Sequence, residues 1–136
     1  MYDFYRQLAA DPTKITVLGN GQQRKSYLYV QDCVDAILTV LDKGPQGPGA
    51  NIYNLGADEY CQVNDSLGWI CAKMGVAPQR TYTGGERGWI GDSPFIFLDT
   101  KKVRVLGWQP KLSIRQGVER TVDYLASSPW LFERRG

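Results

Sequence analysis

Apolar residues recur at helical spacing in four segments of the chain, which predicts four amphipathic helices. The first contains Phe4 and Leu8 and must end before Pro12, because the residue preceding a proline disfavours helical geometry. The second is expected to begin at Asp32 as its N-cap and to end at Gly44. Its predicted core face consists of Val34, Ile37, Leu38 and Leu41.

Boundary signals are clearest for the third and fourth helices. Asn64 is a suitable N-cap for the third helix, and Gly75 is suited to close it. Ser113 and Gln116 have the spacing of a capping box, which predicts the start of the fourth helix. The faces expected in the core are Leu67, Ile70, Cys71 and Met74 in the third helix, and Ile114, Val118, Val122 and Leu125 in the fourth.

Short runs rich in β-branched and aromatic residues predict strands between these helices. The runs are residues 15–18, 26–30, 51–55, 79–83 and 95–98. A further short helix is expected after Asp99, which would cap it, and before the Leu106-Gly107 pair. Alternating strands and helices in a chain of 136 residues predict a single small α/β domain spanning residues 1–136.

The composition of the chain excludes several classes of function. With 43% hydrophobic and 22% charged residues, the chain has the composition of a soluble globular protein. Its net charge of +2 is too small to drive binding to nucleic acid or to a membrane surface. The chain has no histidine, which excludes Ser-His-Asp triads, Cys-His pairs and histidine-containing metal sites, and no metal is expected.

Cysteine usage and hydropathy indicate a cellular compartment. The 3 cysteines form no C-x-x-C pair, and a reduced, cytoplasmic chain is the simplest interpretation. No apolar run is long enough to suggest a membrane span, and the first residues do not have the pattern of an export signal. We therefore expect neither a membrane nor a nucleic-acid partner.

Two loops, residues 19–26 and 84–92, concentrate glycines and cations. Glycines let the backbone approach an anion, lysine supplies a point charge, and arginine supplies a bidentate fork. Either loop could hold a phosphate, or both could be ordinary solvated surface, and composition alone leaves the two interpretations open.

Neither loop has the context of a known nucleotide-binding motif. A Walker A loop requires glycine immediately before Lys-Ser, whereas Arg24 occupies that position. A dinucleotide fingerprint beginning at Gly19 would also require glycine at position 24. Gly85, Gly88 and Gly91 have a dehydrogenase-like spacing, but a predicted strand follows them where a helix is needed to hold a pyrophosphate.

Several short motifs follow one another along nearly the whole chain. They are Ile15-Thr16-Val17-Leu18-Gly19-Asn20-Gly21, Gln23-x-Lys25-Ser26-Tyr27-Leu28-Tyr29-Val30-x-Asp32, Ile52-Tyr53-Asn54-Leu55-Gly56, Arg87-Gly88-Trp89-Ile90-Gly91-Asp92, Asp99-Thr100-Lys101-Lys102 and Leu106-Gly107-Trp108-Gln109-Pro110. This ordered set resembles the C-terminal, substrate-binding lobe of an extended short-chain dehydrogenase/reductase. The resemblance is to the family of NAD-dependent nucleotide-sugar epimerases and dehydratases, which have a Rossmann-type fold.

The resemblance implies four substrate-binding residues. Lys25 and Arg87 match the family's two cations that contact the substrate diphosphate. Asp92 resembles the acidic residue near the ribose, although its separation from Arg87 is longer than in many relatives. Trp89 would either stack on the nucleobase or plug the edge of the core. Asp32 would be a structural cap rather than a ligand contact.

The family's catalytic machinery is missing from this sequence. None of the 8 tyrosines is followed by lysine four positions later, and the family's glycine fingerprint is absent. We therefore expect no catalytic or cofactor-binding residue in this chain, although the resemblance implies NAD for a full-length parent. The parent reaction would be isomerisation by epimerisation, or dehydration, of a UDP- or dTDP-linked sugar, with a missing N-terminal Rossmann half as partner.

The alternative is a non-catalytic protein-interaction module derived from the same fold. In that case both glycine-rich loops would be surface. A large exposed apolar patch would favour this alternative, because a separated lobe exposes the face that met its other half.

Overall fold

The computed structural model describes residues 1–93 and 95–133, and within them lie six helices and four short strands. In chain order these are α1 (Tyr2–Ala10), β1 (Lys14–Val17), β2 (Arg24–Lys25), α2 (Val30–Lys43), β3 (Cys61–Gln62), α3 (Val63–Met74), β4 (Gln79–Tyr82), α4 (Lys101–Arg104), α5 (Ile114–Ala126) and α6 (Trp130–Glu133). The predicted α/β class is confirmed.

Two short ladders organise the strands. β1 pairs with β4 in parallel, so Ile15 lies opposite Arg80 and Val17 opposite Tyr82. Along β1, Ile15 and Val17 are buried while their neighbours in the strand are exposed, as the period of two in a strand requires. β2 and β3 form an antiparallel pair of two residues each, with Lys25 opposite Cys61.

The main core lies between α1, β1, α3 and α5. It includes Leu8, Val17, Leu67, Ile70 and Val118, each at most 1% exposed. The predicted apolar faces of α3 and α5 enter this core except for Leu125, which is buried outside it, and Met74 is partly buried at the edge of the core. The predicted capping box of α5 is confirmed.

A smaller core joins α2 to α4 and corrects the role of Asp32. α2 begins at Val30 with Tyr29 as its N-cap, so Asp32 lies inside the first turn and the predicted cap was wrong. The Asp32 side chain is buried and accepts hydrogen bonds from the amides of Lys111 (3.1 Å) and Leu112 (3.3 Å). Its backbone carbonyl accepts from Trp108 Nε1 at 3.0 Å. Asp32 therefore fixes the chain beyond α4 against α2.

Three predicted strands do not form. Residues 26–29 form no ladder, since β2 ends at Lys25 just before them, and Val30 already belongs to α2. Residues 51–55 and 95–98 are irregular, since no strand lies beside either segment in the described chain. A strand exists only through hydrogen bonds to a neighbour, so a suitable sequence alone does not form one.

The predicted core face of α2 was wrong: Val34, Ile37, Leu38 and Leu41 are 40% to 67% exposed, because the helix packs into the small core through Ala36 instead.

The remaining elements fall close to their predictions. α1, β1 and β4 match their predictions to within a residue or two. The predicted cap of α3 was wrong, because Gln62 is its N-cap in a capping box with Asp65, and Asn64 lies inside the first turn. The predicted cap of α4 was displaced by one residue: Thr100 is its N-cap, while the Asp99 carboxylate accepts from the Lys101 amide at 2.9 Å. None of the described helices has the length and hydropathy needed to cross a membrane.

We predict that Asp32→Ala lowers the free energy of unfolding by about 2 kcal/mol, because two backbone amides would lose their buried acceptor. Urea titration followed by tryptophan fluorescence measures this change. Asp42→Ala, at an exposed position of the same helix, is the matched control and should change stability by less than about 0.5 kcal/mol. Equal effects of the two substitutions would contradict this role of Asp32.

Candidate functional site

The two glycine-rich loops lie side by side because the strands that precede them are parallel neighbours. One loop follows β1 and the other follows β4, so both leave the sheet at its carboxyl edge. The Gly84 amide donates to the Gly19 carbonyl at 3.1 Å, and the Gly19 amide donates to Thr83 Oγ1 at 2.8 Å. Ligands of open α/β sheets bind at this edge, so the two candidate loops occupy one candidate site.

Gly19 is required where these loops meet. Its φ of +78° is in the left-handed region, and a Cβ at this position would overlap the Gln23 amide and lie 3.0 Å from the Arg87 carbonyl oxygen. Gln23 is buried and donates from Nε2 to the Leu18 carbonyl at 3.0 Å. Its Oε1 has no hydrogen-bond partner among the described residues.

Lys25 and Asp92 form an ion pair at the centre of the site. Lys25 Nζ lies 2.5 Å from Asp92 Oδ1 and donates to the Ser93 carbonyl at 2.8 Å. Asp92 Oδ2 accepts from the Gly88 amide at 3.1 Å. The side chains of Lys25 and Asp92 are only 23% and 12% exposed, so the pair is shielded from solvent. An ammonium has three donors, and these two bonds leave one for a ligand.

The environment of Asp92 favours its ionised form. Burial by itself would raise the pKa of the carboxyl. The hydrogen bonds from Lys25 and Gly88, together with nearby positive charge, outweigh burial, and the pKa lies below the ordinary value of an aspartate. Part of that positive charge belongs to Arg87. Asp92 is therefore a fixed negative charge beside two cations.

Arg87 and Trp89 occupy the exposed part of the second loop. The Arg87 side chain is exposed, and it forms no ion pair with a carboxylate of the described residues. Trp89 is 65% exposed, and its ring lies so close to Gly91 that a Cβ there would overlap it. At this exposure Trp89 does not plug the core edge.

Two cavities adjoin the Lys25–Asp92 pair, and Lys25, Tyr27, Trp89 and Asp92 line both of them. One, of about 390 Å³, also contacts Arg24 and Leu55. The other, of about 450 Å³, also contacts Gln23. Arg87 lines neither cavity in the described chain, so the geometry joins three of the four predicted site residues directly.

A third cavity, of about 520 Å³, lies between residues 27–30 and α5. Its described lining contains no lysine or arginine, so it lacks the side-chain cations that a phosphate would require. Tyr27 also borders this cavity, and burial raises the pKa of its phenol.

Arg24 is the residue that sequence reasoning missed. Its guanidinium carbon lies 4.1 Å from the centre of the Phe95 ring and 5.4 Å from that of Tyr60. Arg24 is exposed, lines the 390 Å³ cavity and has no ion-pair partner among the described carboxylates. A guanidinium held flat by an aromatic ring keeps its donors available at the edge. The family match pointed to the neighbouring Lys25, and nothing local in the sequence indicated the contact with Phe95.

Comparisons with known proteins identify the family of the chain. Residues 1–56 match the model of the NAD dependent epimerase/dehydratase family. The chain belongs to this family. It is 31% identical over 90% of its length to a trifunctional UDP-glucose 4,6-dehydratase, UDP-4-keto-6-deoxy-D-glucose 3,5-epimerase and UDP-4-keto-L-rhamnose reductase of Arabidopsis thaliana. It is 32% identical over 93% of its length to a dTDP-glucose 4,6-dehydratase of Xanthomonas campestris.

The fold of this chain is also similar to part of a solved structure. The UDP-glucose 4-epimerase of Thermotoga maritima, determined with UDP-glucose, superposes on 93% of this epimerase-family chain with a TM-score of 0.77 and 26% identity. The chain spans only part of each of these proteins: 18% of the Arabidopsis protein, 37% of the Xanthomonas protein and 39% of the Thermotoga chain.

The family uses NAD, but the glycine-rich loops of this chain do not fit a dinucleotide. The loop that begins at Gly19 leads into β2, and the loop that ends at Gly91 leads into irregular chain at residues 95–98. A pyrophosphate is held by the N-terminus of a helix directly after such a loop, and neither loop is followed by one.

We predict that Asp92→Asn destabilises the fold in a pH-dependent manner. The folded-state pKa of Asp92 is lowered, so its ionised form stabilises the fold above the ordinary aspartate pKa. That stabilisation is lost as the pH falls through the folded-state value. The substitution should lower the free energy of unfolding by about 1–2 kcal/mol near neutral pH. The difference should shrink below about pH 3.8.

Urea titrations at several pH values measure this difference. Asp3→Asn, which removes an exposed carboxylate 3.9 Å from Arg6, is the control and should have little effect at any pH. A constant deficit for Asp92→Asn across the acidic range would contradict the assignment.

Proposed function

We propose that the chain, as a single domain spanning residues 1–136, is the part of an NAD-dependent epimerase or dehydratase that binds the nucleotide-diphosphate sugar. The observation that carries this proposal is the convergence of both glycine-rich loops on one cation-rich cavity edge. The names of the relatives support a UDP- or dTDP-linked sugar as ligand. The Thermotoga enzyme was determined with such a ligand, UDP-glucose.

Each predicted site residue has a role in this proposal. Arg87 supplies a bidentate fork for the diphosphate, and Lys25 adds a point charge through its remaining donor. Asp92 holds Lys25 in place and offers its carboxylate to a ribose hydroxyl. The exposed ring of Trp89 stacks on the nucleobase.

Arg24 adds a cation to this set. It contacts the same cavity as Lys25 and has no carboxylate partner among the described residues. A diphosphate carries more charge than one lysine neutralises, particularly when that lysine is already paired. Arg24 is therefore proposed to contact the phosphate nearest the 390 Å³ cavity.

Catalysis is proposed to come from elsewhere. The sequence has no tyrosine with lysine four positions later to serve as base, and its glycine-rich loops do not fit NAD. Epimerisation or dehydration would then require a dinucleotide-binding Rossmann lobe. This chain alone binds the substrate without converting it.

A second candidate function is a non-catalytic interaction module derived from the same fold. The observation that favours it is the exposure of large apolar residues along α2, where Ile37 is 51% and Leu41 67% exposed. The two functions differ in one measurable property, because only the first requires the chain to bind a nucleoside diphosphate.

Calorimetric titration with UDP, UDP-glucose and NAD tests the proposed function. We predict binding of UDP and UDP-glucose but not of NAD. Arg87→Ala should weaken UDP binding by at least about tenfold, since it removes a charge-assisted bond. Arg115→Ala, which removes an exposed arginine on α5, is the control and should bind like the unchanged chain. Unchanged affinity after Arg87→Ala would refute the site, and the absence of any UDP binding would favour the interaction module.

We further predict a graded series at position 24. Arg24→Lys keeps the positive charge but loses the fork and the flat contact with Phe95, whereas Arg24→Ala loses all three. UDP affinity should fall about threefold for the first and about tenfold for the second. Calorimetry at two salt concentrations measures both. Identical affinities of the two variants and the unchanged chain would remove Arg24 from the site.

A further inference from the structure

The glycines of the second glycine-rich loop serve two different purposes. Gly84 and Gly85 have φ angles of +80° and +81°, and no atom of the described chain lies within 4 Å of a Cβ built at either position. Their backbone conformation by itself favours glycine. Gly91 is the opposite case, because its φ is negative and a Cβ there would overlap a neighbouring side chain. Space, and not a positive φ, is what glycine provides at position 91.

The side chain that occupies this space is the indole of Trp89. A Cβ on Gly91 would overlap Cζ3 of the indole and would lie 2.6 Å from Cη2 and 3.1 Å from Cε3. All three atoms belong to the benzene ring at the far end of the side chain. Glycine loses more conformational freedom on folding than alanine does, so a glycine that no positive φ requires has a cost. Room for the indole offsets that cost here.

Hydrogen bonds hold the main chain on both sides of Trp89. The Asp92 amide donates to the Trp89 carbonyl at 3.0 Å, which closes a tight turn. The Asp92 carboxylate accepts from the Gly88 amide at 3.1 Å and pairs with Lys25. None of these bonds involves the β-position of Gly91. They fix the backbone of the turn, and the contact with Gly91 fixes where the indole lies on it.

The position of the indole matters because Trp89 borders both cavities beside the Lys25–Asp92 pair, while Gly91 lines the 390 Å³ cavity. In the proposed function, the diphosphate lies at Lys25 and its neighbouring arginines. The nucleobase is joined to that diphosphate through one ribose, so the indole is an aromatic surface within its reach. Stacking of a base on an aromatic side chain depends on where the ring lies.

We propose that Gly91 is a positioning residue for the nucleobase: its empty β-position holds the Trp89 indole against the turn and at the border of the two cavities. A β-carbon at this position would displace the indole. The ring is 65% exposed, so it can rotate away while the hydrogen bonds of the turn remain. This inference rests on the proposed binding of a nucleoside diphosphate and adds the residue that orients the stacking ring.

Calorimetric titration of the full chain with UDP and with inorganic pyrophosphate, which carries charge but no base, tests this role. Gly91→Ala should weaken UDP binding by about tenfold, the loss expected when one base–aromatic stack is removed. It should change pyrophosphate affinity by less than about twofold, because the cations stay in place. Gly47→Ala is the matched control and should bind both ligands like the unchanged chain. Gly47 also has a negative φ, and no atom of the described chain lies within 4 Å of a Cβ there.

A double-substitution cycle with Trp89→Ala shows whether Gly91 acts through the indole. Trp89→Ala alone should weaken UDP binding by about tenfold. Adding Gly91→Ala to that variant should lower the affinity further by less than about twofold, since the ring that Gly91 positions is already gone. A glycine needed only for the conformation of the loop would show its full effect in both backgrounds.

Each outcome decides the proposal. Selective loss of UDP affinity in Gly91→Ala that disappears in the Trp89→Ala background supports it. It is overturned if Gly91→Ala binds UDP like the unchanged chain, if UDP and pyrophosphate affinities fall equally, or if the loss persists without the indole. In these three cases the unchanged chain still binds UDP, so the proposed function stands. If the unchanged chain does not bind UDP, the proposed function fails and this inference is overturned with it.

Discussion

The parallel pairing of β1 with β4 is the contact on which the candidate site depends. The two strands are joined residue by residue from Lys14 opposite Gln79 to Val17 opposite Tyr82, although 65 positions separate the partners in sequence. Loop closure over such a distance costs entropy, which the burial of Ile15 and Val17 in the main core helps to offset. Once the strands are parallel, the chain must leave both at the same edge. The convergence of the two glycine-rich loops follows from that direction alone.

Within the site, Asp92 both orients the Lys25 ammonium and restrains it. The pair is shielded from solvent, so its charges attract strongly, but each has also lost hydration. A ligand anion that approaches Lys25 would compete with Asp92 for the same ammonium. The arginines at positions 24 and 87 have no such competitor in the described chain. In the proposed site, the positive charge would be divided between a lysine that is held in place and two arginines that are available.

Sequence patterns predicted the elements that need only an apolar core to pack against. They missed the elements that depend on one particular neighbouring segment. Helical spacing was sufficient for α3 and α5, because any apolar core accepts their faces. The same spacing in α2 identified an apolar face correctly but placed it in a core, whereas Ile37 and Leu38 are exposed. Residues 51–55 and 95–98 have strand composition and form no strand, since composition cannot supply the second strand.

The site was predictable to the same degree. Lys25 and Asp92 were identified from separate motifs, and the structure places them in contact, but neither motif contains the strand pairing that brings them together. Arg24 could not be singled out from the sequence, because its contact is with Phe95, 71 positions away. Asp32 was misplaced because a capping residue and a buried acceptor have the same local sequence. Only the amides of residues 111 and 112 distinguish the two roles.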